Sequence, residues 1–587
     1  MPPSTLRFHH DGTMHFLEVH PEHLNIKVEA PPETTHGWVV TYLGGDEQQT
    51  PLHKEGPCWT GRLPRSNLHY RFRFLVQGKV WWYNQSGVSS TSPAFHTDFK
   101  HTEQAPPEWV HGRVFYQIFV DRFKNGNPAL SVREGEYLYE GHPVKARRWE
   151  DSPTREHGAR EFYGGDLEGI RQSVPYLKTL GVNALYLNPI FESPSSHKYD
   201  TQDYHRIDPH FGTNQDFARW MKDMHENDIR VVLDGVFNHT GDRHMWMNRE
   251  QVYGFRGAHQ GGDTRRHYTY HGPGPDDYLG WAGIKTLPKL DYQHPEVRSK
   301  MYGQRHSVVR YWLNPPYNVD GWRLDVSPMI GKNGTDEGNQ EILSGIWQAA
   351  RETRPDSFIF GEHVFDATRW LQGGVEDGSM NYHGFTHPTW GFLAGVEHRM
   401  QPAQVTAEDY AQRLTTSLSS LPHPHQLAQV NLLSSHDTVR FATLCPDPDL
   451  QKIGAALLLT FIGVPCIYYG DEIGLQGGED PDCRKPMPWG SPAFQGDLHR
   501  WYRTLIQLRH QEQALQRGAF QVLHAQGDEL VFERRLGPER IRVLLSRGEG
   551  FLSPLEGQWL DPVTSQLHRK QVRIPSKGVV ILKSTCK

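Results

Sequence analysis

Cysteine is scarce in these 587 residues, and what there is lacks a pattern. Cys58, Cys445, Cys466, Cys483 and Cys586 are odd in number and widely spaced, which fits neither a disulfide framework nor a C-x-x-C metal motif, so they read as free thiols. An excess of positive charge is also missing. With 62 Lys plus Arg against 68 Asp plus Glu, the formal charge is −6, and no basic stripe is available to neutralise a run of phosphates; nucleic acid is not expected as a partner. Nor is there a long unbroken apolar run. The most apolar stretch, 453–469, contains Gly463 and Pro465 and runs into Gly470, Asp471 and Glu472, which suits a buried helix followed by a buried strand, so no membrane association is expected. Residues 1–10 carry neither a cationic n-region nor an apolar h-region, so no secretory signal is read and the cytoplasm is the expected compartment. No repeat is visible at a period of about 20 to 50 residues.

Aromatic residues, by contrast, are plentiful. There are 17 Trp, 24 Tyr and 26 Phe, ample for a large core, and the length suggests several units at roughly 100 to 200 residues each. Residues 1–108 are strand-like, with WVVTYL (38–43) and then YRFRFLVQGKVWWY (70–83), which breaks at Gln77-Gly78 as a hairpin would. After APPE (105–108) short apolar runs alternate with amphipathic stretches, the signature of βα units and a parallel sheet. The runs at 114–120, 184–188, 231–234, 321–325, 358–361, 380–382, 430–433 and 466–469 number eight, and eight parallel strands close a barrel. The segment 240–290, too long for an ordinary connection and rich in Gly, His and Tyr, reads as a loop subdomain over the site. Beyond about residue 515 strand-like pieces return, such as 529–534 and 540–545. The expected architecture is therefore an α/β chain: a β-sandwich module (1–108), a (β/α)8 barrel (109–510) with an insert near 240–290, and a C-terminal β-sandwich (511–587).

A barrel builds its site at the C-terminal ends of its strands. There the sequence places Asp234 after the third run, Asp325 after the fourth, Glu362 after the fifth and Asp437 after the seventh. One acid after a strand is more often a helix cap, but four with polar escorts suggest chemistry. Arg323 stands two residues before Asp325, so in an extended strand both side chains share a face and the guanidinium is expected to keep that carboxyl ionised. Two carboxyls about 5 Å apart across a glycosidic bond support a retaining double displacement. Asp325 as half of a structural ion pair, and His239 with His436 as metal ligands among 35 histidines, are the bland alternatives. For Tyr268, Tyr270, Trp281 and Trp390 individually, core packing is the simpler expectation, and as a group they suggest a lid.

These residues fall in strings that resemble the α-amylase family, glycoside hydrolase family 13: DGVFNH (234–239), GWRLDV (321–326), GEH (361–363) and SSHDT (434–438), in the family's order. FYGGDL (162–167), HKYDT (197–201), LPKLD (287–291), VPCIYYGDE (464–472) and DPDCR (480–484) extend the resemblance over about 115–490. It implies Asp325 as nucleophile, Glu362 as general acid/base with a raised pKa, and Asp437 as the carboxylate that grips sugar hydroxyls. Tyr199, Asp234, His239, Arg323 and His436 are implied around the attacked glucose, and Asp480 and Arg484 along the chain of sugars. The N-terminal module and LPKLD resemble the neopullulanase, cyclomaltodextrinase and maltogenic amylase branch, in which the module can cover a partner's site in a homodimer. That branch usually reads VANE after the nucleophile, whereas here Val326, Ser327, Pro328 and Met329 follow. This departure, with FYGGDL, HKYDT and PMPW (486–489), is similar to bacterial maltodextrin glucosidases and implies glucose release from linear maltooligosaccharides. Other readings are opening of cyclic substrates, transglycosylation or isomerisation, and a glucan-binding protein on an inactive barrel, against which all three matching carboxyls stand. DRFKNGN (121–127) with Gly164 and Asp166 resembles the branch's calcium loop, but Asn127 replaces Asp, and Leu130 and Ser131 stand where Asn and Asp are usual. Calcium prefers six to eight hard oxygens, several charged, so no cofactor is expected to be required and Asn125, Asn127, Gly164 and Asp166 remain weakened calcium candidates, or simply a capped turn.

Overall fold

The computed structural model describes residues 6–43 and 46–585; Cys586, read above as a free thiol, lies outside them. Alternation sets up the N-terminal module. In His23–Glu29 every second residue, Leu24, Ile26 and Val28, is buried, as period-2 side chains on a half-covered sheet must be. Two antiparallel sheets close over these residues together with Val39, Tyr70, Phe72 and Phe74. Leu68–Val76 and Lys79–Asn84 pair with Val76 opposite Lys79, and the two linking residues, Gln77 and Gly78, both take positive φ (51° and 74°), the twist a two-residue hairpin needs.

Eight parallel strands then form a closed barrel: β1 (Phe115–Ile118), β2 (Ala184–Leu187), β3 (Arg230–Gly235), β4 (Gly321–Leu324), β5 (Phe358–His363), β6 (Gly378–Asn381), β7 (Val430–Asn431) and β8 (Val464–Tyr468). Closure comes from β8, which pairs Cys466 and Ile467 with Phe115 and Tyr116 of β1. The strands are buried on both sides, which explains their continuous apolar text. Ala184 and Tyr186 of β2 join Val232, Phe358, Phe360 and Val430 inside the barrel, whereas Leu185 and Leu187 belong with the helices outside. The helix Asn214–Glu226 shows how the outer layer docks. Thr213 and Asp216 cap its start reciprocally, and Phe217, Trp220, Met221 and Met224 form its buried stripe, each contributing about 1.5–3 kcal/mol by leaving water. The apolar stretch near 453–469 resolves into a helix, Pro448–Thr460, and β8. No helix of the described residues is long and apolar enough to cross a membrane.

Between β3 and β4 the insert runs as short turns, Asp263–His267 and Trp281–Gly283, tied back by isolated bridges between His239 and Lys289 and between Tyr268 and Leu290. After the last barrel helix, Asp497–Gln511, the chain forms antiparallel sheets, one of them beginning Ala519–Gln526, Glu529–Leu536 and Glu539–Ser546.

Candidate active site

The ends of β3, β4 and β5 bring together the residues singled out in the sequence. Asp234 sits opposite Arg323 in the register of β3 with β4, and Arg323 opposite Phe360 in that of β4 with β5. Arg323 is fully buried. Its Nη1 donates to Asp234 Oδ1 and Oδ2 at 2.9 and 3.1 Å and to Asp325 Oδ1 at 2.8 Å, while Nη2 lies 3.0 Å from Glu362 Oε2. One guanidinium therefore hydrogen-bonds the nucleophile candidate through one terminal nitrogen and pairs by charge with the acid candidate through the other, whose N–H groups make no aligned hydrogen bond. Burial works against the Arg323 cation, but Asp234 and Glu362 outweigh it and push its pKa higher still.

One electrostatic expectation is overturned. Asp325 does not stay low beside Arg323: burial pushes its carboxyl well above the ordinary range, and repulsion from Glu362, Asp234 and Asp437 adds to the rise that Arg323 opposes. A single arginine shared among three carboxylates cannot neutralise them all, which works against ionising Asp325.

Around this centre the second tier is made of hydrogen bonds. Tyr186 and Tyr199 both donate to Asp234 Oδ2, at 2.6 and 2.9 Å. Tyr199 stacks on His436, ring planes 8° apart, and its hydroxyl meets His436 Nε2 at 2.6 Å. Gln117 bridges His436 Nδ1 and Asn188 Oδ1. Asp437, at the opening with 42% of its side chain exposed, is bonded to His436 Nε2 and Arg484 Nη2, each at 3.0 Å. Desolvation works to raise Asp437, but His436, Arg484 and Arg323 outweigh it and hold the carboxyl well below its ordinary range. Arg484 also reaches Asp480 Oδ1 at 2.9 Å, linking the outer pair to the cluster. His239 is buried, burial lowers its pKa to about 3, and its Nε2 has no partner, leaving an uncharged polar atom.

Several participants were invisible in the sequence. Val326, a β-branched residue, takes the left-handed conformation (φ 39°, ψ 42°) immediately after Asp325, and its N–H donates to Glu362 Oε2 at 2.8 Å. That strained turn ties the two carboxyls together through the backbone, a relation no residue spacing displays. Gly361 must be glycine because a Cβ there would come within 2.4 Å of the Glu376 carboxylate, which is buried against His363 Nε2 at 2.6 Å. Gln117, Tyr186 and Asn188 carried one available signal, polar or aromatic residues inside the first two apolar runs. Among the aromatics, Tyr268 and Trp390 are buried, bonded to Thr240 and to the Leu433 carbonyl, whereas Trp281 lies 6.0 Å from His239 and donates its indole N–H to Met329 Sδ at 3.3 Å. Met329 is 48% exposed.

In the calcium-like loop the polar atoms serve one another. Asp166 caps a helix and accepts the N–H groups of Gly126, Asn127 and Gly169; Asn127 Oδ1 accepts from Ala129, and Asn125 donates to Ser131 Oγ. Gly164 donates its N–H to Asp121. Asn125 Oδ1 is buried without a partner.

The family model described as "Alpha amylase, catalytic domain" matches residues 117–518. A cyclomaltodextrinase of Geobacillus thermopakistaniensis (strain MAS1) is 35% identical over 539 residues, covering 87% of this chain and 85% of its own. Neopullulanase 2 of Thermoactinomyces vulgaris is 34% identical over 558 residues, 88% of this chain and 87% of its own. Among solved structures, the type III pullulan hydrolase from Thermococcus kodakarensis superposes with a TM-score of 0.76 at 26% identity, over 98% of this chain and 100% of that one.

Proposed function

Because the chain belongs to the α-amylase family and is a glycoside hydrolase of the cyclomaltodextrinase, neopullulanase and maltogenic amylase type, we propose that it hydrolyses α-1,4-glucosidic bonds of short linear maltodextrins with retention, releasing glucose. The observation that carries the mechanism is the convergence at Arg323, which hydrogen-bonds Asp325 and lies in ion-pair contact with Glu362, itself hydrogen-bonded by the Val326 N–H. Asp325 Oδ1 is engaged by Arg323, so Oδ2 attacks the anomeric carbon. Glu362 Oε2 is engaged by Val326 and Arg323, so Oε1 carries the proton to the departing glycosidic oxygen. The bond from the anomeric carbon to that oxygen breaks as the bond to Asp325 forms. In the second half Glu362, now a carboxylate, takes a proton from water, whose oxygen displaces Asp325; two inversions leave the α configuration unchanged. The first step needs a proton on Glu362 and an ionised Asp325. Asp437, His436 and Arg484 hold hydroxyls, His239 Nε2 offers a further partner, and the ring of Tyr199 opposite His436 is the face against which a sugar stacks.

No step is routed through calcium. The loop supplies two carboxylates, Asp166 already spent on backbone N–H groups and Asp121 on backbone N–H groups and the Arg122 guanidinium, and one orphan amide oxygen, a donor set that does not fit the ion. Glucose release from linear substrates is supported by Met329, which puts an apolar, half-exposed side chain where the branch usually carries an acid. Opening of cyclic maltodextrins is the second reading, favoured by the likeness to cyclomaltodextrinase.

A timed digestion of maltotriose, maltohexaose and a cyclodextrin tests both. Early glucose, α configuration at new reducing ends and slow cyclodextrin loss are expected, with activity falling by at least about 10⁴-fold in Asp325→Asn. Fastest loss of cyclodextrin, or maltose as the main product, would move the protein to the second reading. Full activity in Asp325→Asn would overturn the mechanism.

A further inference from the structure

At the base of the insert, two histidines and a glutamate converge outside the catalytic cluster. His267 closes the turn Asp263–His267, and His294 caps the helix Pro295–Arg298, to which Glu296 belongs. One potential ligand atom from each lies within 4.8 Å of the other two. His267 Nε2 is 3.1 Å from Glu296 Oε2, and the two imidazole rings lie 5.6 Å apart, inclined at 54°. His267 is fully buried, with Trp246 edge-on at 5.0 Å, and its Nδ1 has no hydrogen-bond partner. His294 Nδ1 accepts the N–H of Glu296, which fixes the ring and leaves Nε2 for another partner.

We propose that His267, His294 and Glu296 form a site for a zinc-class transition-metal ion, which staples the insert to the helix that follows it. Two imidazoles and a carboxylate, with water completing the shell, are a common zinc set, whereas calcium and magnesium take shells of oxygen. Bonds of about 2.0–2.1 Å in a tetrahedron put donors roughly 3.3 Å apart, so the observed spacing needs only a contraction by side-chain rotation. A metal-binding imidazole must present a lone pair, and the unpartnered Nδ1 of His267 shows that this ring is not saturated by protein hydrogen bonds. Two cations now share the carboxylate: Arg266 at 3.2 Å and Lys300 at 3.5 Å. Their side chains are 58% and 38% exposed and have solvent to turn into when the ion arrives. The next residue after His267, Tyr268, begins the bridged strip whose partner Leu290 leads back to the barrel, and Asp291 donates its N–H to the His267 carbonyl. An ion here would fasten the root of the segment that carries Trp281 without touching the reacting carboxyls.

The test uses the full chain, freed of metal by a chelator and titrated with Zn²⁺ in a calorimeter, with Co²⁺ as a spectroscopic substitute. The expected result is one ion per chain, visible absorption of four-coordinate Co²⁺, and a rise in Tm with Zn²⁺. His294→Ala and Glu296→Gln, both on the partly exposed side of the site, should each raise Kd by at least about tenfold and reduce the Tm response at a fixed Zn²⁺ concentration. No uptake at about 10 µM Zn²⁺ would overturn the site. So would uptake that persists in the double variant, which would place the ion on other histidines.

Discussion

Arg323 and Arg534 are both fully buried, yet they face opposite surroundings. Arg323, on the barrel strand β4, is met by the carboxylates of Asp234, Asp325 and Glu362. Arg534, on the strand Glu529–Leu536 of the C-terminal domain, donates only to carbonyls, those of Thr460, Leu515 and Gly518 at 2.9, 3.0 and 2.7 Å. Burial, and then the nearby Arg509, lower its pKa, whereas Arg323 is raised by its acids. Thr460 is the last residue of the helix Pro448–Thr460, so Arg534 meets the negative end of a helix dipole and needs no acid. The comparison teaches that carbonyls suffice to accommodate a buried cation at a structural joint. Surrounding one with three acids concentrates negative charge in one place, which adds to burial in pushing the Asp325 carboxyl up despite the arginine beside it.

Replacing each arginine with methionine separates the two roles. Arg323→Met should lower kcat by at least about 10³-fold, and leaving its acids buried without a cation should cost about 3–5 kcal/mol. Arg534→Met should leave kcat for maltotriose unchanged while costing about 1–3 kcal/mol for carbonyls left without donors. Rates together with urea midpoints decide: an Arg534 variant that keeps its midpoint and loses its rate would break the distinction.

Asp242 extends the comparison to a buried anion with poor compensation. Burial, then Asp200 and Glu250, push its carboxyl up to about 7, while Arg249, at 3.4 Å, offsets little. Its pKa is higher folded than unfolded, so the folded state binds the extra proton and this contribution to stability is present near pH 4 and lost as pH rises through about 7. The wild type should therefore lose up to a few kcal/mol between pH 5 and pH 8 that Asp242→Asn does not lose, read as the difference in Tm at about those two pH values. Parallel pH curves for the two proteins would show that the insert does not hold that proton.

How much of this was readable beforehand depends on whether the cause is local in the chain. All eight barrel strands could be found, because burial on both faces writes itself as a continuous apolar run, and the convergence of Asp234, Arg323, Asp325 and Glu362 was legible because strand ends deliver them to one rim. The Gln77-Gly78 turn was legible because two positive φ values demand such residues. Val326 was not: nothing in a valine announces a left-handed backbone, which tertiary contacts impose. The Asp325 shift was missed for a related reason. Spacing showed its arginine neighbour, but the three competing carboxyls come from other strands, and their sum was needed to find the sign.

The smallest effect concerns the rim, where Met329 stands near Trp281 with solvent beside it. Met329→Glu adds a carboxylate at a half-exposed position where water solvates it, so stability should change by no more than about 0.5 kcal/mol. An exposed charged acceptor strengthens hydrogen bonds to sugar hydroxyls by roughly 1 kcal/mol, enough for a change of about two- to fivefold. The ratio of transfer products to glucose from maltotriose should rise by that factor, because an acceptor sugar then competes better with water for the glycosyl-enzyme, and Met329→Gln should shift it less. An unchanged ratio in Met329→Glu would mean that the acceptor sugar does not reach this part of the rim, and that glucose release is set by the buried cluster around Arg323 alone.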